Sequence, residues 1–247
     1  MVLFFAAGAM AETTNTLSDA EIQGRALAQK ILTQQPIEGF TNPGVLKFKD
    51  ATGKSRNISV RFIAKIRPTN WVSIFQGINT ETREADKLAV VHEPSLTNRY
   101  AVVHVCSPDT TFAQLDLWGM QPVAEAEETL VPFCGSDFSA ADLGLEFFHW
   151  PQQKVLKKEV HRSCGCTVLE STNPNPSTNG YSRVISWIDT ESLGIVEAYA
   201  YDSKNKLLKD FYPKDIKKVN GQWQVQTLVM ENVQTGSRSR LEFDLKK

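Results

Sequence analysis

Four cysteines, Cys106, Cys134, Cys164 and Cys166, and four histidines, His92, His104, His149 and His161, are the side chains here best suited to bind a metal, form disulfides or attack a substrate. Cys164-Gly165-Cys166 is too closely spaced for an easy internal bridge, so a disulfide would take Cys134 or Cys106 as its partner. Four cysteines allow three complete pairings, and spacing does not choose among them. Free buried thiols, a catalytic thiol, and a metal site using His161 three residues before Cys164 are the other readings. Zinc sites more usually show C-x₂₋₄-C spacing with a second His or Cys pair, so no metal ligand is assigned. The histidines fall in separate elements, where a lone His is more often a surface or satisfied core residue. Ser136 beside Asp137 is no nucleophile–base pair, because adjacent side chains rarely meet. The two are better placed to satisfy the free N–H groups where a helix begins. Nucleophile elbows, dinucleotide and phosphate loops and H-E-x-x-H are absent. These residues therefore predict a protein that is not an enzyme, with no catalytic residue and no cofactor.

The elements that would position these side chains are mostly strands. Ser18-Asp19-Ala20-Glu21 is a capping box, and Ile22, Ala26, Ile31 and Leu32 follow at helical spacing until Pro36 and Gly39. Ile58, Val60, Phe62, Ala64 and Ile66 alternate with polar residues, as a strand with one buried face requires. Trp71–Phe75, Leu88–Val91 and Tyr100–Val103 read as further strands. A second helix is expected from Ser139, with Leu143, Phe147 and Phe148 on one side, ending before Pro151. Strand-like runs then start at Val155, Tyr181, Ile195, Leu207, Gln222 and Arg238, separated by short polar turns. Asn220-Gly221 suits the positive φ of a tight hairpin. Connections this short allow only an antiparallel meander, since a parallel crossover needs a dozen or more residues.

Composition narrows the class. The chain has 247 residues, with 27 Lys+Arg against 28 Asp+Glu, a net charge of −1, and 41% hydrophobic residues. That balance argues against nucleic acid as a partner and against general attraction to anionic lipid. Val2 to Met10 is an apolar run too short to span a bilayer, and it ends in the small-x-small pattern Ala9-Met10-Ala11. Residues 1–11 are thus expected to be a signal peptide, although no Lys or Arg precedes the apolar run. Residues 12–247 are expected to form one domain, exported and monomeric, with no cysteine placed for a lipid anchor. In an exported protein the cysteines would meet an oxidising compartment.

A long antiparallel sheet with one apolar face must cover that face with helices or curl on itself. Two helices over a curved sheet would leave either an apolar hollow, which suits lipophilic ligands, or a filled core. An ordered set of short motifs begins with Gly135-Ser136-Asp137-Phe138-Ser139, Asp142-Leu143 and Cys166-Thr167-Val168-Leu169-Glu170. Tyr181-Ser182-Arg183-Val184, Trp187-Ile188-Asp189, Tyr201-Asp202 and Leu207-Leu208-Lys209 continue it. It ends with Gly221-Gln222-Trp223, Met230-Glu231-Asn232 and Thr235-Gly236. Through these residues the segment Phe133 to Asp244 resembles the outer membrane lipoprotein-sorting protein domain, a relative of the LolA and LolB carriers.

The resemblance implies an α+β protein, mainly β: an unclosed antiparallel barrel whose helices cover an apolar cavity. It also implies a periplasmic carrier of lipid or lipoprotein acyl chains that works with inner- or outer-membrane lipoprotein-transport proteins. Alternation and layout nominate Phe62, Trp71, Phe75, Trp187 and Met230 for the cavity wall, and Leu143 and Phe147 for the lid. A bridge between Cys134 and Cys164 or Cys166 would stiffen that lid. The rival readings are a sensor or scaffold that uses the same half-barrel for protein contacts, and an exported hydrolase with a scattered site.

Overall fold

The structure is a computed structural model, and it describes residues 17–93, 96–107, 109–117, 121–122, 129–219 and 221–245. The expected signal peptide lies outside the described residues.

The chain opens with helix α1 (Asp19–Leu32), started by the predicted box: the Glu21 N–H donates to Ser18 Oγ while Glu21 accepts from the Ser18 N–H at 2.8 Å. Strands β1 (Phe40–Lys49), β2 (Ser55–Ile66), β3 (Trp71–Asn79), β4 (Glu84–His92) and β5 (Arg99–Cys106) follow as antiparallel neighbours. A short helix α2 (Phe112–Leu117) and the two-residue strand β6 (Gln121–Pro122) come next. After a 3₁₀ turn at Phe133–Gly135 comes α3 (Ala140–Leu143), then a 3₁₀ turn at Glu146–His149. The meander resumes with β7 (Gln152–His161), β8 (Cys164–Thr172), β9 (Tyr181–Asp189), β10 (Ile195–Asp202), β11 (Leu207–Val219), β12 (Gln222–Asn232) and β13 (Ser237–Phe243).

All thirteen strands form one sheet in the order β6-β5-β4-β3-β2-β1-β13-β12-β11-β10-β9-β8-β7. Its edges, β6 and β7, do not pair, so the antiparallel barrel is unclosed. The chain's two halves join where β1 meets β13, with Leu46 opposite Leu241. Gly221, at φ +82, makes the tight β11–β12 connection that a residue with a Cβ would resist.

Three strands have no counterpart in the sequence reading: β1, β8 and the two-residue β6. β1 contains Pro43-Gly44, which normally argues against a central strand. Gly44 is needed there because a Cβ would lie 2.2 Å from the Glu242 carbonyl oxygen of β13. β8 contains Cys164-Gly165-Cys166, whose types suggest chemistry more than pairing. The predicted second helix is also shorter than expected: α3 stops after four residues, and Leu145 turns left-handed at φ +51. A Cβ at Gly144 would stand 2.3 Å from the Tyr100 hydroxyl, so the chain passes Tyr100 as bare backbone.

Pairing defines two faces. Val60, Phe75, Leu88, Leu241, Phe211, Ala198 and Val184 belong to the main core on the concave side. On the opposite face of β2–β4, Ile63, Val72, Ile74 and Ala89 form a second buried cluster. Beside it α2 is anchored by Asp116, which accepts from Arg61 and Gln76, and by the Leu115 carbonyl, which accepts from Lys87.

Candidate functional site

Residues 132–150 form a strap across the concave face, and buried polar side chains hold it to the sheet. Asp137 accepts hydrogen bonds from Ser237 and Ser239 of β13 at 2.5 and 2.7 Å, and its own N–H donates to Ser239 Oγ. Ser136 accepts from the Phe138 N–H, which fits the turn-starting role expected of it. Ser139 and Asp142 make a second capping box at α3. Asp142 also accepts from Tyr181 of β9 at 2.6 Å and from Lys209 of β11 at 2.9 Å. Lys209 donates as well to the Asp137 carbonyl at 2.6 Å. Further along, Asn98 donates to the Gly144 carbonyl, Tyr100 to Glu146, and Gln153 to the Phe147 and Trp150 carbonyls. Burial raises the Glu146 carboxyl, and burial beside Glu146 pushes the Tyr100 hydroxyl up strongly. Helix α1 closes the flank, with Gly24 so near β7 that a Cβ would lie 2.5 Å from the Gln153–Lys154 backbone.

Beneath the strap the concave face is filled. Phe147, Tyr181, Val184, Ala198, Phe211 and Met230 surround a gap of about 10 Å³, no larger than a water site. The hollow large enough for an acyl chain that the layout suggested is therefore not formed at this position. Phe147 reaches the sheet and its ring packs against Phe148 and Trp150. Met230, nominated for the wall, and Phe147, nominated for the lid, line this gap, with the second lid residue, Leu143, packed against the same core. Phe62 and Phe75 stack at 4.7 Å on the concave face of β2 and β3, close to Phe243. Trp71 stacks on His92 at 3.9 Å at the far end of the same face. Burial, with the nearby His149 charge, lowers His92 to about 4.

Trp187 requires a correction, because it faces the other way. Its neighbours Ser186 and Ile188 point into the concave core, so alternation turns Trp187 outward. There it donates to Glu159 at 2.7 Å and stacks on His161. His161 Nε2 pairs with Glu197, which Arg162 also engages, and among the described residues His161 and Cys164 belong to no cluster of three metal-ligating side chains.

At the other end of the concave face, a cavity of about 310 Å³ opens between β4, β5 and the Phe133–Gly135 turn. Leu88, Val102, Phe133 and Ala140 line its apolar side, and Glu84, Asp86 and His104 its polar side. His104 Nδ1 lies 2.5 Å from Asp86 Oδ1, and Cys106 Sγ lies 3.6 Å from His104 Nε2. Asp86 accepts from the backbone N–H of Cys134, a residue at φ +52. Cys134 Sγ fits over Gly77, where any Cβ would come within 2.2 Å of the sulfur. Burial beside Asp86 holds the Cys134 thiol well above its ordinary range, so it stays protonated and unreactive. All four cysteines are free. Of the readings left open by spacing, the free thiol is the one seen at Cys134, which packs on Gly77 and Asp86 and makes no bridge to β8.

Residues 123–246, half of the chain, match a family model described as "Uncharacterized protein". The chain belongs to that family. No curated protein matches it. A DUF1329 family protein from Desulfovibrio piger superposes with a TM-score of 0.71 and 18% identity over 92% of each chain. A candidate outer membrane lipoprotein-sorting protein domain from Vibrio parahaemolyticus gives 0.71 and 19% identity, covering 91% of this chain and 92% of that one. A LolA superfamily protein from Nitrosomonas europaea gives 0.58 and 15% identity over 92% and 93%. At such identities the likeness establishes the fold, which is the LolA fold.

Within the LolA fold, the Glu84–Asp86–His104–Cys106 group is what sequence reasoning missed. Its donors lie about twenty residues apart along the chain and meet only because β4 and β5 pair. The available signal was an alternating E-x-D in one strand facing H-x-C in the next, visible once the register is known. Among the described residues, no helix is long and apolar enough to cross a membrane.

Proposed function

We propose that this protein is a carrier of lipid or lipoprotein acyl chains in the periplasm, and that it loads by displacement of the strap. One observation carries the reading. The apolar concave face of an open sheet is closed by a segment held through side-chain hydrogen bonds rather than by strand pairing. Such a cover can leave without breaking the sheet. Each methylene buried in its place stabilises the complex by about 0.8 kcal/mol, so a long acyl chain offsets the loss of Phe147 and the strap's latches. Near-zero net charge suits a ligand recognised by its hydrocarbon rather than its headgroup. Release requires the reverse movement, which a membrane lipoprotein-transport protein would favour by binding the displaced strap. The carrier performs no chemistry and needs no cofactor for this task.

The filling of the concave face around Phe147 and Met230 favours a second reading, in which the same fold acts as a sensor or scaffold for proteins. One experiment separates the two. The protein is purified from the periplasm, extracted with organic solvent and examined by mass spectrometry, and the delipidated protein is titrated with a fluorescent fatty acid. The carrier reading expects co-purified acyl lipid and saturable binding. An empty extract with no saturable binding overturns it in favour of the scaffold.

A further inference from the structure

We propose that Glu84, His104 and Cys106 form a binding site for a borderline-soft divalent metal ion, Zn²⁺ being the best match. The proposal is independent of lipid carriage. Among the described residues these three offer a carboxylate oxygen, an imidazole nitrogen and a sulfur, all within 4.8 Å of one another. The sheet sets this convergence, with Glu84 directly opposite Cys106 and Asp86 directly opposite His104. All four side chains therefore project from the same face of two paired strands. One nitrogen, one sulfur and one oxygen suit zinc with a fourth position left for water, whereas Ca²⁺ and Mg²⁺ prefer all-oxygen sets.

The residues around the site orient its ligands. Asp86 holds His104 through Nδ1, which leaves Nε2 as the ligating atom on the Cys106 side. Asp86 is itself fixed by the Cys134 N–H. A carboxylate on the remote nitrogen of a ligating imidazole is the usual way a protein sets tautomer and ring direction at a metal. Thr82 donates to Glu84 Oε2 at 2.7 Å, which steadies the carboxylate. The cavity of about 310 Å³ gives solvent and small molecules access to the open position.

The same three residues, Cys106, His104 and Asp86, could also be read as a thiol nucleophile, its base and an orienting acid. Glu84 argues against that reading. Its carboxylate is a third donor within 4.8 Å of both the His104 nitrogen and the Cys106 sulfur, which a metal ion uses and the nucleophile–base–acid reading leaves without a role.

The test uses the full-length protein, reduced and stripped with chelator, and titrated with Zn²⁺ and Co²⁺ salts. The expected result is one equivalent bound, a thiolate-to-cobalt charge-transfer band, and visible bands of tetrahedral intensity. Zn²⁺ should also protect one thiol from alkylation. Cys106→Ser should abolish the charge-transfer band and His104→Ala should weaken binding at least ~100-fold, while Asp86→Asn weakens it ~10–100-fold. Cys134→Ala should keep the band, since that sulfur packs on Gly77. Circular dichroism of each variant checks the fold. The proposal is overturned if cobalt binds without a sulfur band, if the band persists in Cys106→Ser, or if folded His104→Ala binds as the parent does. Rapid alkylation of Cys106 that zinc does not slow would also overturn it and assign the thiol to nucleophilic chemistry.

Discussion

Tyr181 donates its phenolic proton to Asp142 across 2.6 Å, and through that bond the middle of the sheet holds the strap. Asp142 belongs to α3 and Tyr181 to β9, so the contact joins the cover to the surface it covers. Lys209 reaches the other oxygen of the same carboxylate at 2.9 Å. Tyr181 and Asp142 are buried and Lys209 is half-buried, so loss of the Tyr181 hydroxyl leaves Asp142 short of a hydrogen bond where water does not readily replace it.

Tyr181→Phe should therefore destabilise the protein by about 1–3 kcal/mol in urea denaturation. If the strap is the lid of a lipid carrier, the same change should raise the affinity for a fluorescent fatty acid several-fold. A variant as stable as the parent would show that the latch contributes nothing. A less stable variant with unchanged ligand affinity would count against loading by strap displacement.

Gly77 and Cys134 should behave as one unit. Gly77→Ala places a methyl group into the Cys134 sulfur, with a cost of roughly 1–3 kcal/mol expected for overpacking. Cys134→Ala makes room for it, so the double variant should recover most of the Gly77→Ala loss. Strictly additive losses in thermal or denaturant unfolding would refute this contact.

His92 should make the protein sensitive to acid. Its folded-state value is about 4, below the ordinary 6.5, because burial on the concave face disfavours the charged ring. The contribution to stability is present above about pH 6.5 and is lost as pH falls toward 4, a swing of about 3 kcal/mol at most. His92→Gln should give a smaller difference in unfolding free energy between pH 7 and pH 4.5 than the parent shows. Parallel pH profiles for the two proteins would rule out His92 as the titrating group.

Asp210 should act in the opposite direction on the outer face. Burial, followed by Glu197 and Glu231, raises it to about 6 against the opposing pull of Arg162. Folding thus favours the protonated carboxyl, and its contribution is complete below about pH 3.8 and lost as pH rises through about 6. Asp210→Asn should gain roughly 1–2 kcal/mol over the parent at pH 7.5 after solvent screening, and little at pH 4. A gain that is the same at both pH values would exclude this charge as the cause.

Much of the backbone was legible in the sequence because its signals are local. The boxes Ser18–Glu21 and Ser139–Asp142 mark helix starts through bonds spanning three residues. The alternation from Ile58 to Ile66 marks a half-buried strand, and Gly221 marks a tight hairpin. The antiparallel meander follows from turns too short for anything else. The motif residues Asp137, Asp142, Tyr181 and Lys209 were within the quoted resemblance, although their mutual contacts were not.

Other features depend on partners distant in sequence. Alternation shows that Trp187 lies opposite its neighbours but not which side is inside, and the sheet's curvature decided that it faces out. Gly44 stands in a central strand because β13, two hundred residues later, approaches its bare backbone. The strap lies on the concave face because Asp137 finds Ser237 and Ser239 a hundred residues on. Glu84, His104 and Cys106 converge only in the β4–β5 register. Residue type and spacing by themselves determined most of the elements and the antiparallel meander. Tertiary structure alone decided which faces are buried, whether the hollow is filled and which donors meet, because each depends on pairing and packing between segments that no local signal connects.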